Sequence, residues 1–478
     1  MKVRTRFAPS PTGFMHIGNL RTALYAFLFA KHNNGDFILR IEDTDTERYV
    51  EGAEGFIYKI LDQAKLTHDE GPDVGGEFGP YVQSQRKDIY NKYAEELIKK
   101  GGAYRCFCTK ERLDTLANDK GIKKYDKHCL HLSQEEIQKN LDNKVPFVIR
   151  QNIPLEGMTE YEDMVFGKIN VPCQDMEDNI LIKSDGMPTY NFANVVDDHL
   201  MQISHVMRGE EYLSSTPKYN LMYDCFGWER PKYIHLPPIM KDAQRKLSKR
   251  YGDANFEDFI EKGFIPEAIV NYIALLGWSP KGNQEKMTME ELINDFSIEG
   301  VSKSPAIFDE VKMRWLNGQY IKEMDFDTFM KYATPYFEKS IIKDKYDYSK
   351  FGKLLQSRIE IFSEIPEKVK FIDEFGTKNL DLYFHKKMKT DFEMAKILLP
   401  KAKDIISSIN DFTVENIHDS LVSEAENLGY KGGQMLFLVR AAVTGVQSTP
   451  GGAVEMIDIL GKEETLNRLT ISINQLND

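Results

Sequence analysis

The strongest constraint on the fold lies at the start of the chain. Residues 2–8, KVRTRFA, alternate basic with apolar or β-branched side chains, the pattern of a strand with one buried face. Pro9 to Gly13 interrupt it. From Asn19 onward the apolar positions become Leu20, Ala23, Leu24, Phe27 and Leu28, the i, i+3, i+4, i+7, i+8 stripe of a helix. Asn33-Asn34-Gly35 closes that helix. FILRI (37–41) is short and almost wholly apolar, as a strand inside a parallel sheet is. Strand, loop, helix, strand is a βαβ unit with a right-handed crossover. Such sheets bind ligands at the carboxyl ends of their strands, which here points to Arg6 at the end of the first strand and Glu42 at the end of the second.

His16, Gly18 and Asn19 sit where the first strand hands over to the helix. Free backbone N–H groups and the positive dipole end favour an anion there. Gly13 and Gly18 are spaced like phosphate-loop glycines, but Asn19 follows Gly18 where that motif requires lysine. A phosphate would be held by amides, a histidine and a polar side chain. A second basic element lies far along the chain. Arg245, Lys246, Lys249 and Arg250 fall in RKLSKR, within a polar segment (239–253) that reads as a mobile loop, and Lys246 and Lys249 flank Ser248. A helix start and a distant basic loop together make a clamp for a triphosphate.

At 478 residues the chain exceeds one ordinary core and predicts several domains. Residues 70–83 read as a Gly/Pro-rich loop, 84–100 as a helix, 106–175 as a turn-rich insertion and 179–199 as strand–turn–strand. From about 310 the periodicity is mostly helical, with a break at Gly445 and 448–452. A net charge of −12 excludes a globally basic nucleic-acid binder but leaves room for a local basic surface. No apolar run approaches the ~18 residues that span a membrane. The first dozen residues lack an apolar signal core, and five cysteines do not make a disulfide scaffold, so a reducing cytosol is expected. Cys106, Cys108, Cys129 and His131 form C-x-C followed by C-x-H. Three thiolates and an imidazole suit one tetrahedral structural zinc, with buried unligated cysteines as the alternative. Asp43 and Asp45, in the acidic EDTDTE (42–47), are expected to serve helix capping and sheet-end packing.

HIGN (16–19) and KLSKR (246–250) resemble the HIGH and KMSKS signatures of class I aminoacyl-tRNA synthetases. RFAPSPTGFMHIGNLRTALYAFLFAK, ILRIEDTDTERYVEGA, LIKSDGMPTYNFANVVDDHLM and HVMRGEEYLSSTPKY are similar to bacterial glutamyl-tRNA synthetases in particular, in the family's order over nearly the whole chain. Asn19 departs from the last histidine of HIGH, and Leu247 and Arg250 depart from KMSKS.

The resemblance implies a multidomain protein, α/β followed by all-α. A Rossmann-like class I catalytic domain in two halves (1–105 and 179–240) would flank an acceptor-end-binding insertion (106–178). A KLSKR loop and stem-contact region (241–310) would lead to an all-helical anticodon-binding region (311–478) with a break near 375. It implies that ATP activates L-glutamate to glutamyl-adenylate, and that the glutamyl group passes to the 3′ end of tRNA(Glu). His16 and Lys249 would then serve the triphosphate, assisted by Lys246, with Gly18 and Asn19 completing the ATP site. Arg6, Tyr190, Asn194 and Arg208 would surround glutamate. Glu42 would take its ammonium group, Ala8 and Ser10 would line the pocket, and Glu211 is a further candidate. Mg2+ would arrive with ATP. Arg358, in KLLQSRIEIF (353–362), stands where related enzymes read the anticodon. A cytoplasmic monomer is expected. An enzyme that also charges tRNA(Gln) with glutamate would share all these features, whereas a small-molecule nucleotidyltransferase would have no use for the helical third.

Overall fold

The computed structural model describes residues 2–11, 15–45, 50, 52–116, 124–247, 255–373, 375–376 and 379–477. Gly13, residues 46–49, Ser248, Lys249 and Arg250 lie outside them. The chain divides into two compact units, Met1–Ile260 with Pro266–Asp309, and Glu261–Ile265 with Glu310–Asp478.

In the first unit β1 (Arg4–Phe7) and β2 (Asp36–Leu39) pair in parallel, Arg4 opposite Asp36, with α1 (Ile17–His32) as the crossover. The expected βαβ unit is present. β1 does not bury one face only, as its alternation predicts: all four residues are buried. The basic side chains turn onto carboxylates instead of water, with Arg4 Nη1 2.8 Å from Asp36 and 2.9 Å from Glu70. Paired guanidiniums can occupy positions that binary patterning assigns to solvent. The predicted stripe of α1 is buried, and so are Tyr25, Ala26 and Phe29, so the helix is enclosed on more than one side.

α2 (Ala53–Gln63) and α3 (Lys87–Lys99) follow. Asp43 caps the approach to α3, its Oδ1 accepting the Ser84 amide at 2.7 Å. Next come β3 (Ala103–Cys106), α4 (Lys110–Asp114), α5 (Gln134–Asp142), β4 (Val148–Gln151), β5 (Met158–Asp163), β6 (Gly167–Pro172) and β7 (Ile180–Ile182). α6 (Tyr190–Leu200), β8 (His205–Gly209), α7 (Thr216–Phe226) and β9 (Lys232–Leu236) return to the α/β pattern. The 179–199 segment is therefore strand, turn and helix rather than strand–turn–strand. Its two valines favour a strand locally, but Phe192, Val195 and Val196 pack with Tyr90 and Leu97 of α3 and Tyr223 and Phe226 of α7 in one core. Tertiary packing overrides that local preference.

β8 and β9 run parallel, and β5 and β6 continue the same sheet in the order β6-β5-β9-β8. β5 alternates exposed and buried residues, placing Thr159, Tyr161 and Asp163 inward, with Asp163 opposite Tyr233 of β9. The end of the segment read as an insertion (106–178) thus shares one sheet with β8 and β9. β10 (Ile239–Met240) pairs with β11 (Ala306–Ile307), with α8 (Phe256–Glu261), α9 (Pro266–Ala274) and α10 (Met289–Asp295) between them. The described part of the loop expected to be mobile, up to Leu247, is built on defined contacts. Asp242 Oδ1 accepts the amides of Gln244 and Arg245, and Lys246 bridges back to Met240.

The second unit is helical: α11 (Glu310–Glu323), α12 (Phe326–Phe337), α13 (Tyr348–Leu355), α14 (Ile365–Val369), α15 (Phe392–Ser408), α16 (Val414–Asn427), α17 (Gly432–Thr444) and α18 (Ala453–Asn477). α17 stops at Gly445, whose φ of 75° is the left-handed conformation glycine supplies, as the sequence break predicts. Among the described residues no helix is long and apolar enough to cross a membrane.

Candidate active site

The ends of β1, β2 and β8, the N-terminus of α1 and the segment after β9 enclose a cleft of about 600 Å³. Arg6, Ala8, Ser10, His16, Gly18, Asn19, Glu42, Tyr190, Arg208, Glu211 and Lys246 all line it. The HIGN turn and the first lysine of KLSKR therefore share one cavity. An antiparallel bridge between His16 and Asn255 ties the far side of the basic loop to the same turn. His16 is the N-cap of α1, and its Nδ1 accepts the Gly18 amide at 3.0 Å. A Cβ on Gly18 would stand only 3.3 Å from that nitrogen, so the small residue leaves room for the capping imidazole. Asn194 is not on the wall. It lies one turn along α6 from Tyr190 and is buried. Lys249 lies outside the described residues.

Beneath the cleft is a buried ionic network in which three arginines face three carboxylates. Arg6 Nε and Nη2 reach Asp198 at 3.0 and 3.3 Å. Arg40 donates to Asp198 at 2.8 Å and to Glu42 at 3.0 Å. Arg86 donates to Asp197 at 2.7 Å, and Gln83 and Tyr90 bind that carboxylate's other oxygen. Burial pushes the Asp198 carboxyl up, but Arg6 and Arg40 overcome it and hold the group below its usual 3.8. Glu42 goes the other way: burial raises it, and Arg40 and Arg6 offset only part of that.

Arg208 is equally buried and differently served. Nε donates to His235 Nε2 at 3.2 Å and Nη2 to Thr216 Oγ1 at 2.6 Å. The guanidinium lies over the Tyr212 and Tyr219 rings at 4.9 and 5.0 Å. Among the described residues it has no carboxylate partner at ion-pair distance.

Pattern reading missed Arg40, Arg86, Asp197, Asp198, His235 and Asp163. One signal was available: Arg40 inside the apolar FILRI, and the paired acids that follow Val195-Val196, are charges in runs that must be buried.

The cysteine site forms in part as expected. The sulfurs of Cys106, Cys108 and Cys129 lie within 4.8 Å of one another, those of Cys108 and Cys129 at 3.5 Å. Zinc–sulfur bonds of ~2.3 Å in a tetrahedron would set sulfurs about 3.8 Å apart, so the three fit that ion. His131 is not with them. It is exposed at the end of the 3-10 turn His128–His131. With three residues per turn, positions two apart point away from each other, so Cys129 faces in and His131 faces out. The fourth group is the Tyr125 phenol, 3.3 Å from Cys106 Sγ and 3.4 Å from Cys108 Sγ, which also accepts the Cys129 amide at 3.1 Å.

In the second unit Arg358 is exposed and donates to its own Leu354 carbonyl at 2.6 Å. A cavity of about 750 Å³ elsewhere in that unit is lined by His385, His418, Phe437, Arg440 and Ala453, without Arg358.

Residues 2–315 match the family model described as tRNA synthetases class I (E and Q), catalytic domain, and residues 328–473 match an anticodon binding domain. A parallel sheet carrying the paired basic elements at one cleft defines such a synthetase. Curated glutamate–tRNA ligases of Clostridium tetani and Clostridium novyi are 57% and 55% identical, each over 100% of this chain and over 98% and 99% of their own. The crystal structure of a glutamate tRNA ligase from Elizabethkingia meningosepticum, in complex with its amino acid, superposes with a TM-score of 0.90 at 36% identity, covering 100% of both chains. The chain belongs to the glutamate–tRNA ligase family.

Proposed function

We propose that the chain joins L-glutamate to tRNA(Glu) at the expense of ATP in protein synthesis. A carboxylate oxygen of glutamate attacks the α-phosphorus of ATP and expels pyrophosphate. A hydroxyl of the terminal adenosine of the tRNA then attacks the glutamyl carbonyl, and AMP leaves. Both steps build negative charge on oxygen, so catalysis rests on positioning and fixed positive groups. The observation that carries this reading is that the HIGN turn, Lys246, Arg6, Arg208 and Glu42 line one cavity.

His16, Gly18 and Asn19 take the nucleotide with Lys246 and Lys249, and Mg2+ accompanies the phosphates. Arg208 takes a substrate carboxylate, because among the described residues no acid lies at ion-pair distance from it. Glu42, whose carboxyl burial raises, gains a counter-charge from the substrate ammonium. Arg6, Tyr190, Ala8, Ser10 and Glu211 complete the wall, and Asn194 lies buried one turn further along α6. One zinc would be held by Cys106, Cys108, Cys129 and Tyr125, bracing the insertion.

The cavity of the helical unit lined by His385 and Phe437 suits an unpaired base better than Arg358 does. Arg440 lies over Phe437 at 5.6 Å beside His385, a stacking and donor set of the kind that reads splayed bases. The cytoplasm is the compartment of this reaction, in keeping with cysteines that are all free.

Purified glutamate and glutamine tRNAs, each offered both amino acids, test the proposal. Glutamate should charge tRNA(Glu), and glutamine should charge neither. No glutamate transfer, with no tRNA-dependent ATP–pyrophosphate exchange, would end it. Transfer of glutamate to tRNA(Gln) as well would show the relaxed acceptor range.

A further inference from the structure

Arg208 is held by a chain of side chains that starts outside the cleft. Asp163 ends β5 and is only 1% exposed. Its Oδ1 accepts the amides of Val165 and Phe166 at 3.0 and 2.9 Å, fixing the turn into β6. Its Oδ2 accepts the His235 backbone amide at 3.2 Å and the His235 Nδ1–H at 2.6 Å. An ionised carboxylate only accepts, so the proton on that bond belongs to the imidazole. His235 is fully buried, and burial lowers its pKa and keeps the ring neutral. Nε2 is then a lone pair, and it receives the Arg208 Nε–H at 3.2 Å. Arginine does not give up its proton in proteins, so the tautomer is set from both ends. Thr216 repeats the logic: its hydroxyl proton goes to the Tyr212 carbonyl at 2.8 Å, and its oxygen accepts from Nη2.

We infer that Asp163 and His235 are positioning residues that orient the Arg208 guanidinium for the substrate carboxylate without neutralising it. A guanidinium is planar, so two fixed N–H groups fix the plane of all its donors, and Arg208 lines the cleft. A carboxylate in place of the imidazole would hold Arg208 equally well but satisfy its charge, as Asp198 does for Arg6. Neutral acceptors give orientation and leave the charge for the ligand. This rests on the reading of Arg208 as a glutamate-binding residue.

Asp163→Asn is the main test. The amide oxygen can still accept from Val165 and Phe166; its NH2 gives up the bond from the His235 backbone amide, donates to His235 Nδ1 and moves the ring proton to Nε2, donor against donor at Arg208. tRNA-dependent ATP–pyrophosphate exchange should show the glutamate KM raised about 10- to 100-fold, the scale of one charge-assisted hydrogen bond, with the ATP KM unchanged. His235→Gln, whose amide oxygen can take the place of Nε2, should stay near the parent. His235→Leu should match Asp163→Asn where it folds. Equal changes in both KM values, no change in either, or a His235→Gln as damaged as Asp163→Asn would overturn the relay. Arg208→Lys separates the two readings. If it alone raises the glutamate KM, Arg208 binds glutamate without the relay; if it has no effect, the underlying assignment falls.

Discussion

Two arginines at the ends of neighbouring strands, Arg6 and Arg208, are alike in burial and opposite in company. Arg6 meets the Asp198 carboxylate with two nitrogens. Arg208 meets an imidazole, a hydroxyl and three tyrosine rings. A buried charge left without its counter-charge is costly. A protein keeps one where the missing partner arrives as ligand. On the proposed reading, the network of Arg6, Arg40 and Asp198 is a floor that neutralises its own arginines, and the wall of β8 and β9, with Arg208, is the receptor for the substrate carboxylate.

The hardest way to break this comparison is to make the floor resemble the receptor. Asp198→Ala leaves Arg6 without its carboxylate and Arg40 with Glu42 and Asp197 alone. Removing one member of a buried pair typically costs about 3–5 kcal/mol, so denaturant unfolding should show a loss of that order, and soluble yield should fall. An unchanged midpoint would mean the network contributes no stability. The sign with pH follows from the same residue. Its carboxyl lies below its usual 3.8 in the folded protein. The contribution is then complete above that value and is lost as pH falls through the folded-state pKa.

The receptor wall should respond in activity and not in folding. Arg208→Ala breaks no ion pair among the described residues, so its thermal midpoint should hold steady. Its kcat/KM for glutamate should fall by about 10²-fold or more, the effect of truncating one partner of a desolvated charge pair, about 3 kcal/mol. A variant that unfolds while keeping its glutamate kinetics would reverse the roles of the two walls.

Much of the floor's backbone was legible in the sequence, and little of its electrostatics. The βαβ unit follows from period alone, because Leu20, Ala23, Leu24, Phe27 and Leu28 can face one way only on a helix. The cleft residues near the HIGN turn follow from resemblance and from the strand-end rule. What could not be read was which acid meets which base. Asp198 is far in sequence from Arg6, and Asp163 reaches His235 only because β5 of the insertion pairs with β9. Such contacts depend on strand order, which local periodicity does not encode. The strand misread at 190–199 has the same origin, since Val195 and Val196 become helical through contacts with α3 and α7.

The thiol cluster sharpens the comparison at the smallest scale. Like Arg208, it gathers groups whose best partner is not another side chain: three sulfurs and a phenol, with Arg112 3.5 Å from one sulfur at the edge. C-x-C and C-x-H spacing nominated His131, but the 3-10 turn sends that ring outward, so His131→Ala should leave zinc content and stability unchanged. Tyr125→Phe removes the phenolic oxygen and keeps the ring under Arg150, which lies 4.4 Å above it. Packing is preserved and only the fourth donor is lost, so zinc should remain bound by three thiolates with an affinity about 10-fold lower, a scale met when one group supporting a metal site is removed. Competition with a chromogenic chelator measures both variants. If His131→Ala releases the metal and Tyr125→Phe does not, the insertion closes around zinc differently from the geometry described, and the cysteine spacing was the better guide.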